Sequence, residues 1–244
     1  MIITSTDNKK IKELTKLHKR KYREEYGKFL IEGEHLVIEA INSGCLEEIF
    51  IKKGTVLSID YPSTVVSEEV FSKMSILDTP TNVIGVCRIR NNKNIIGNKI
   101  LLLDEIQDPG NLGTIIRSSV AFNVDTIILS ENTVDLYNPK VIRATQGILF
   151  YINIISMNSL EAIRELKMLN IPIYGTDVDS GVDARTLRDS DKQSFALVMG
   201  NEGNGVRDIV KEQCDKNLYI SMNSNVESLN VAIATSILLY ELGR

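Results

Sequence analysis

From residue 100 onward the chain contains six short runs that are apolar almost throughout: ILLLDE (100–105), VDTIILS (124–130), YINIIS (151–156), IPIYGTD (171–177), FALVMGN (195–201) and NLYISM (217–222). A run of four to seven apolar residues without polar alternation must be covered on both faces. Segments with helical spacing lie between the runs: LGTIIRSSVAF, PKVIRATQGIL, SLEAIRELKML and GVRDIVKEQC, with SLNVAIATSILLYEL after the last. Strands alternating with helices imply an α/β fold, a parallel sheet with helices on both faces. Ligands of such sheets bind beyond the C-terminal strand ends, so the loops that follow strands are where function should lie.

The preceding residues differ in character. Lys9, Lys10, Lys12, Lys16, Lys19, Arg20, Lys21, Arg23 and Lys28 stand against Asp7, Glu13, Glu24 and Glu25, while Ile11, Leu14 and Leu17 share roughly one helix face. A solvated helix and a polyanion contact both account for this stretch. Then come FLIEG, a helical LVIEAINSG ended by Gly44, and the strand-like EEIFIKK, a small α/β unit. The Asn- and Lys-rich run RIRNNKNIIGNK (88–99) reads as a linker, placing a first domain at 1–95 and a second at 96–244.

Composition narrows the function classes. Twenty-eight Lys and Arg against 32 Asp and Glu give a net charge of −4, so any nucleic-acid site is a local patch. Cys45, Cys87 and Cys214 are odd in number and show no C-x-x-C spacing, which indicates reduced thiols without a disulfide framework or zinc site. His18 and His35 are the only histidines, too few for a His-rich metal cage, and no metal is expected. The N-terminus lacks the apolar region of an export signal. Val231 to Leu242 is too short and too interrupted to span a membrane. A cytoplasmic location is expected, with no membrane partner.

Three post-strand loops carry unusual residues. In DEIQDPGNLGTIIRSS (104–119), Pro109 and Gly110 make a turn, Asn111 stands at an N-cap position, and Arg117 sits among apolar or small neighbours. In FALVMGNEGNGV (195–206) a strand runs into G-x-x-G-x-G, which is not the dinucleotide fingerprint G-x-G-x-x-G. Glu202 inside that loop would repel a pyrophosphate and favour a cationic ligand. In YISMNSNVESLNVAIATSILLYE (219–241) a polar loop leads to a helix that opens at Ser228, with Asn230 in its first turn. Ser228 can be a cap, but the Asn230 amide needs partners that an apolar helix does not supply.

DPGNLGTIIR, LVMGNEGNGV and ISMNSNVESLNVAIA, in that order and approximate spacing, resemble the three motifs of the SPOUT superfamily of RNA methyltransferases, in its SpoU/TrmH-type branch, over Lys99 to Arg244. FLIEGEHLVIEAINSG with EEIFI resembles the ribosomal-protein-like substrate-binding domain that precedes the catalytic domain in this branch. The resemblance implies a deep C-terminal trefoil knot, a homodimer, and S-adenosyl-L-methionine as cofactor, bound by Gly200, Ile220 and Leu229 with Thr176 and Met199 beside them. It assigns catalytic positions to Arg117, Asn111, Glu202, Asn230 and Ser228. Where relatives carry Pro after the Ile of the third motif, this chain has Ser221.

What the resemblance implies is 2′-O-methylation of an RNA ribose, since only RNA offers that hydroxyl. The two-domain layout leans towards ribosomal RNA, with transfer RNA as the second class. Because a guanidinium stays protonated, Arg117 is expected to bind the neighbouring phosphate and stabilise the developing alkoxide, with base action as the alternative. Two competing functions are a non-catalytic RNA-binding protein with a vestigial pocket and a nucleotide-dependent oxidoreductase. Retained Asn111, Arg117, Glu202 and Asn230 oppose the first, and the glycine spacing opposes the second.

Overall fold

The computed structural model describes residues 2–77, 79–178 and 180–243. In chain order the residues up to Arg90 form β1 (Ile2–Ile3), α1 (Lys9–Lys16), α2 (Arg20–Tyr26), β2 (Lys28–Glu32), α3 (Glu34–Asn42), β3 (Leu46–Lys52), β4 (Thr64–Val66), α4 (Glu68–Met74) and β5 (Val83–Arg88). The chain continues with β6 (Lys99–Leu103), α5 (Pro109–Ala121), β7 (Thr126–Leu129), α6 (Pro139–Thr145), β8 (Asn153–Ser156), α7 (Ser159–Met168) and β9 (Ile173–Thr176). It ends with β10 (Val182–Asp183), α8 (Asp189–Lys192), β11 (Phe195–Met199), α9 (Asp208–Lys211), β12 (Lys216–Tyr219) and α10 (Val231–Gly243).

These elements make two compact units. One comprises the residues up to Arg90 together with Asp135–Phe150, and the other Asn91–Val134 together with the chain from Tyr151 on. The first unit holds a mixed five-stranded sheet, β1-β4-β3-β5-β2. Ile11, Leu14 and Leu17 pack with Phe50, Phe71 and Ile84 in its core, so α1 turns its apolar face inward and its cations outward.

The segment 135–150 departs from the simple alternation. PKVIRATQGIL spans α6 and a following 3-10 turn, and this segment joins the first unit instead of covering the second unit's sheet. Asp135 forms a nearly buried ion pair with Arg23. The Phe29 ring lies 4.5 Å from that of Tyr137, and His35 Nε2 lies 3.2 Å from the Gln146 carbonyl oxygen. A buried guanidinium requires a carboxylate, and this segment supplies it.

The second unit is a seven-stranded sheet, β10-β12-β9-β11-β6-β7-β8, parallel throughout. All six apolar runs are strands. The central pair explains their composition: Ile100 to Leu103 on β6 and Phe195 to Met199 on β11 are all buried, as strands sandwiched between helix layers must be. Because every strand points the same way, the loops after β6, β9, β11 and β12 emerge at one end of four neighbouring strands. No helix among the described residues is long and apolar enough to cross a membrane.

Candidate active site

The loop after β6 is fixed first. Asp104, fully buried at the strand's end, accepts a forked pair of hydrogen bonds from Arg207, 2.6 Å from Nη2 and 3.0 Å from Nε, and another from the Ser159 hydroxyl at 2.7 Å. The carboxylate beside it raises the Arg207 pKa above its ordinary value, against a smaller desolvation effect. Arg207 directly follows the glycine-rich loop, so this pair ties the loop's C-terminal end to β6, and the Asp104 amide, donating to the Met199 carbonyl at 2.8 Å, ties its N-terminal end. Asp104 and Arg207 were not singled out by their sequence pattern. The available signal was a carboxylate at the end of an otherwise apolar strand.

The helix start in the first loop is not where the sequence suggested. Asp108 is the N-cap of α5, its side chain accepting from Asn111 N at 2.8 Å, with Pro109 at the first helical position. Asn111 is therefore inside the first turn, which frees its amide. Likewise Ser228 does not open α10. Asn230 is the cap, its Oδ1 accepting from Ala232 N at 2.9 Å and Ile233 N at 3.3 Å.

Those two corrections expose a connected network. Since Asn230 Oδ1 is committed to the helix end, its Nδ2 must point away, and it donates to Asn111 Oδ1 at 2.9 Å. The Asn111 Nδ2 in turn donates to Glu202 Oε1 at 3.1 Å. Glu202 also accepts from Asp108 N at 3.0 Å and Gln107 N at 3.1 Å. One residue from each of the three motif loops thus joins a single chain, and the amide orientations follow from the cap. Partial burial pushes the Glu202 carboxyl up, but the hydrogen bonds from Asp108, Asn111 and Gln107 outweigh it and hold the pKa below the ordinary carboxylate value. Glu202 is an ionised acceptor and a poor proton donor near neutrality.

The glycine-rich loop is a tight turn. Asn201 and Gly205 exchange backbone hydrogen bonds at 3.0 and 2.9 Å, and Asn201 Oδ1 accepts from Gly203 N at 2.9 Å. A Cβ on Gly200 would lie 2.0 Å from the backbone of Gly205 and Val206, so only glycine fits there.

Beside this turn lies a cavity of about 380 Å³. Its wall includes Thr176, Met199, Gly200, Ile220 and Leu229, together with Ser228 and Glu202, so these sequence candidates converge on one place. Thr176 donates to the Val198 carbonyl at 3.0 Å, which holds the ends of β9 and β11 together. Four carboxylates, of Asp177, Glu202, Asp208 and Glu227, line the cavity against one cation, Lys211, which pairs with Asp177. That balance suits a positively charged ligand and opposes a pyrophosphate.

Asn111, Arg117 and Asn230 are not in the cavity wall. Arg117 is exposed on α5 and makes no hydrogen bond or ion pair among the described residues. It lies about 9 Å along the helix from Asn111, on a different face. No group of three or more His, Cys, Asp or Glu among the described residues is arranged to hold a metal ion.

Comparison with known proteins places this geometry. The profile of the SpoU rRNA Methylase family matches residues 98–240, and that of the MRM3-like substrate binding domain matches residues 8–85. The chain is 40% identical to the 23S rRNA (guanosine(2553)-2′-O)-methyltransferase RlmP of Bacillus subtilis (strain 168), over 98% of either chain. It is 33% identical to an uncharacterized tRNA/rRNA methyltransferase, slr1673, of Synechocystis, over 99% of this chain and 93% of that one. Among solved structures it is similar to the AdoMet-bound rRNA methyltransferase from Sinorhizobium meliloti, with 30% identity, a TM-score of 0.86, and coverage of 99% and 97% of the two chains.

Proposed function

The chain belongs to the SpoU rRNA methylase family, and from that premise we propose how its residues divide the work of methylating RNA. The protein is an RNA 2′-O-methyltransferase that uses S-adenosyl-L-methionine. Its substrate in our reading is ribosomal RNA, with the large-subunit RNA first by analogy to the Bacillus relative. We assign residues 1–95 to RNA binding and 96–244 to methyl transfer, place the protein in the cytoplasm, and take the C-terminal segment to be threaded as a trefoil knot.

The cavity suits the cofactor. Its sulfonium is cationic, and the carboxylate excess around it supplies a complementary field. The missing side chain at Gly200 lets backbone approach backbone closely, leaving carbonyl and amide groups of the loops at Gly200, Ile220 and Leu229 to hold an adenosyl group. Thr176 and Met199 close the strand-end side. When bound, the cofactor supplies an activated methyl group for transfer to an oxygen. Ser221, exposed directly after Ile220, replaces the rigid proline of relatives without changing a backbone carbonyl.

The chain's own contribution is orientation and charge. The Asn230–Asn111–Glu202 chain fixes the three loops against one another, and that network is the observation that carries the reading. Glu202 and Asn111 act as positioning residues, and Ser228, whose hydroxyl makes no hydrogen bond among the described residues, lines the cavity wall. Arg117 holds the phosphate next to the acceptor ribose and stabilises charge developing on its oxygen. Calorimetry should detect cofactor binding by the purified protein below the millimolar range with no metal added. Mapping of ribose methylation in total RNA from cells with and without the protein should reveal one missing modification. No binding up to millimolar cofactor, or an unchanged methylation map, would reject this function.

A homodimer accounts for two further features. Ile233 and Ile237, one turn apart on α10, are 53% and 36% exposed and, with Tyr240 set edge-on to Phe122, form an apolar stripe at the surface. The Ser118 hydroxyl of α5 lies 2.7 Å from that of Ser236 on α10, which places Arg117's helix next to the stripe. A two-fold interface on this surface would cover the stripe and bring Arg117 of each chain towards the other's cavity. Sedimentation at micromolar concentration is expected to give a dimer, and Ile233→Glu with Ile237→Glu a monomer without activity. A wild-type monomer with full activity would contradict the arrangement.

A further inference from the structure

Two tyrosines of α2 have no part in the methyl-transfer site. Tyr22 and Tyr26 lie one turn apart with ring centroids 5.9 Å from each other, and Tyr26 is 36% exposed. Neither belongs to the apolar cluster that α1 contributes to the first unit's core. Lysines surround them: Lys16 Nζ is 5.5 Å from the centre of the Tyr22 ring and 3.4 Å from the Tyr26 hydroxyl, and Lys21 Nζ is 5.9 Å from the Tyr22 ring. Beside Tyr26 opens a second cavity, about 330 Å³, lined by Leu14 and Leu17 and by Lys10, Lys28, Glu13 and Glu48.

The charge of this face runs against that of the chain. Residues 9–26 carry eight Lys and Arg against three Glu, in a protein of net charge −4. Part of that charge is already matched: Lys10 by Glu48, Lys12 by Asp7, Arg20 by Glu24 and Arg23 by Asp135. Lys9, Lys16, Lys19 and Lys21 have no ion pair among the described residues, against two such carboxylates, Glu13 and Glu25. Aromatic rings on a surface with unmatched lysines are the combination that holds single-stranded nucleic acid, a base on the ring and phosphates on the cations. A paired stem buries its base faces and cannot use the rings.

We propose that the α1–α2 face binds an unpaired stretch of the RNA substrate, one base lying against Tyr26 in the cavity lined by Leu14 and Leu17, with neighbouring phosphates on Lys16, Lys19 and Lys21. This rests on the RNA-methyltransferase reading and adds to it the conformation of RNA that the first unit selects.

The chain has no tryptophan, so Tyr26→Trp creates a single reporter in the full-length protein. A single-stranded oligoribonucleotide should quench its fluorescence, and the same strand in a duplex should not. Tyr22→Ala with Tyr26→Ala should weaken single-strand binding, measured by anisotropy, roughly tenfold or more, and the Phe pair should restore it. Lys16→Glu, Lys19→Glu and Lys21→Glu together should lower the slope of log affinity against log salt by about two. Calorimetric cofactor binding should be unchanged in every variant, and a wild-type circular dichroism spectrum and cooperative unfolding transition verify that the first unit remains folded. Equal quenching by duplex, or an Ala pair with wild-type affinity and an unaltered salt slope, would overturn this proposal while leaving the enzyme reading intact. A wild-type protein that neither binds nor methylates RNA would overturn the enzyme reading itself.

Discussion

Arg117→Ala is expected to lower the single-turnover rate of methyl transfer by roughly two to three powers of ten, the usual loss when a preorganised charge stabiliser is removed. Cofactor affinity should hardly change, because Arg117 is outside the wall of the cavity proposed to hold the adenosyl group. Its exposure and lack of partners leave the guanidinium free to meet a phosphate or an alkoxide, and nothing in the chain's own fold depends on it. Arg117→Lys should recover only part of the rate, since an ammonium is a point charge without the planar two-pronged fork. The pH profile separates the two chemical roles. A charge stabiliser gives similar losses at all pH values, whereas a base gives a wild-type rate that rises with pH to a plateau whose break moves in the Lys variant. Near-normal single-turnover chemistry in the Ala variant at saturating RNA would remove Arg117 from the chemistry.

That Arg117 stands out in the sequence while its exposed position on α5 does not has a physical explanation. A cation among small and apolar helix neighbours is conspicuous in a string of letters, but the surface it serves depends on faces far apart in sequence. The strands were readable for the opposite reason: burial on both faces leaves continuous apolar runs, and all six appear in the sheet. β10, two residues long, leaves no periodic trace. The caps were misplaced by position. Asn111 and Ser228 are both plausible capping types, yet Asp108 before Pro109 and Asn230 before an apolar run take the task, and the freed Asn111 amide then becomes the middle of the site network. Segment 135–150 has the same Asn-Pro start and apolar spacing as a sheet-covering helix. Only the need of Arg23 for a buried carboxylate, 112 residues away in sequence, shows which core it serves.

The glycine-rich loop yields the sharpest test, because its three glycines are required to different degrees. Gly200→Ala would put a Cβ 2.0 Å from the backbone of Gly205 and Val206, a distance that no rotamer can relieve. The turn would have to open by an ångström or more, and displacement of that size should reduce cofactor affinity roughly a hundredfold or more. Gly205→Ala meets nothing within 4 Å but has to hold φ at +69°, which should cost about 1–2 kcal/mol and a correspondingly moderate loss of affinity. Gly203→Ala meets only Asn201 Oδ1 at 3.6 Å, an ordinary contact, in a backbone conformation open to any residue, so binding should remain near wild type. The hydrogen bonds that shape the turn at Gly203 and Gly205 use backbone amides and survive the changes at Gly203 and Gly205, whereas the opening forced by Gly200→Ala pulls the Asn201–Gly205 pair apart. Denaturant unfolding of each variant separates a rearranged loop from a lost fold, and calorimetry with S-adenosyl-L-methionine reads the site. Equal affinities across the three variants would mean that this loop does not form the cofactor's binding surface, and the adenosyl group would have to be sought elsewhere along the strand ends.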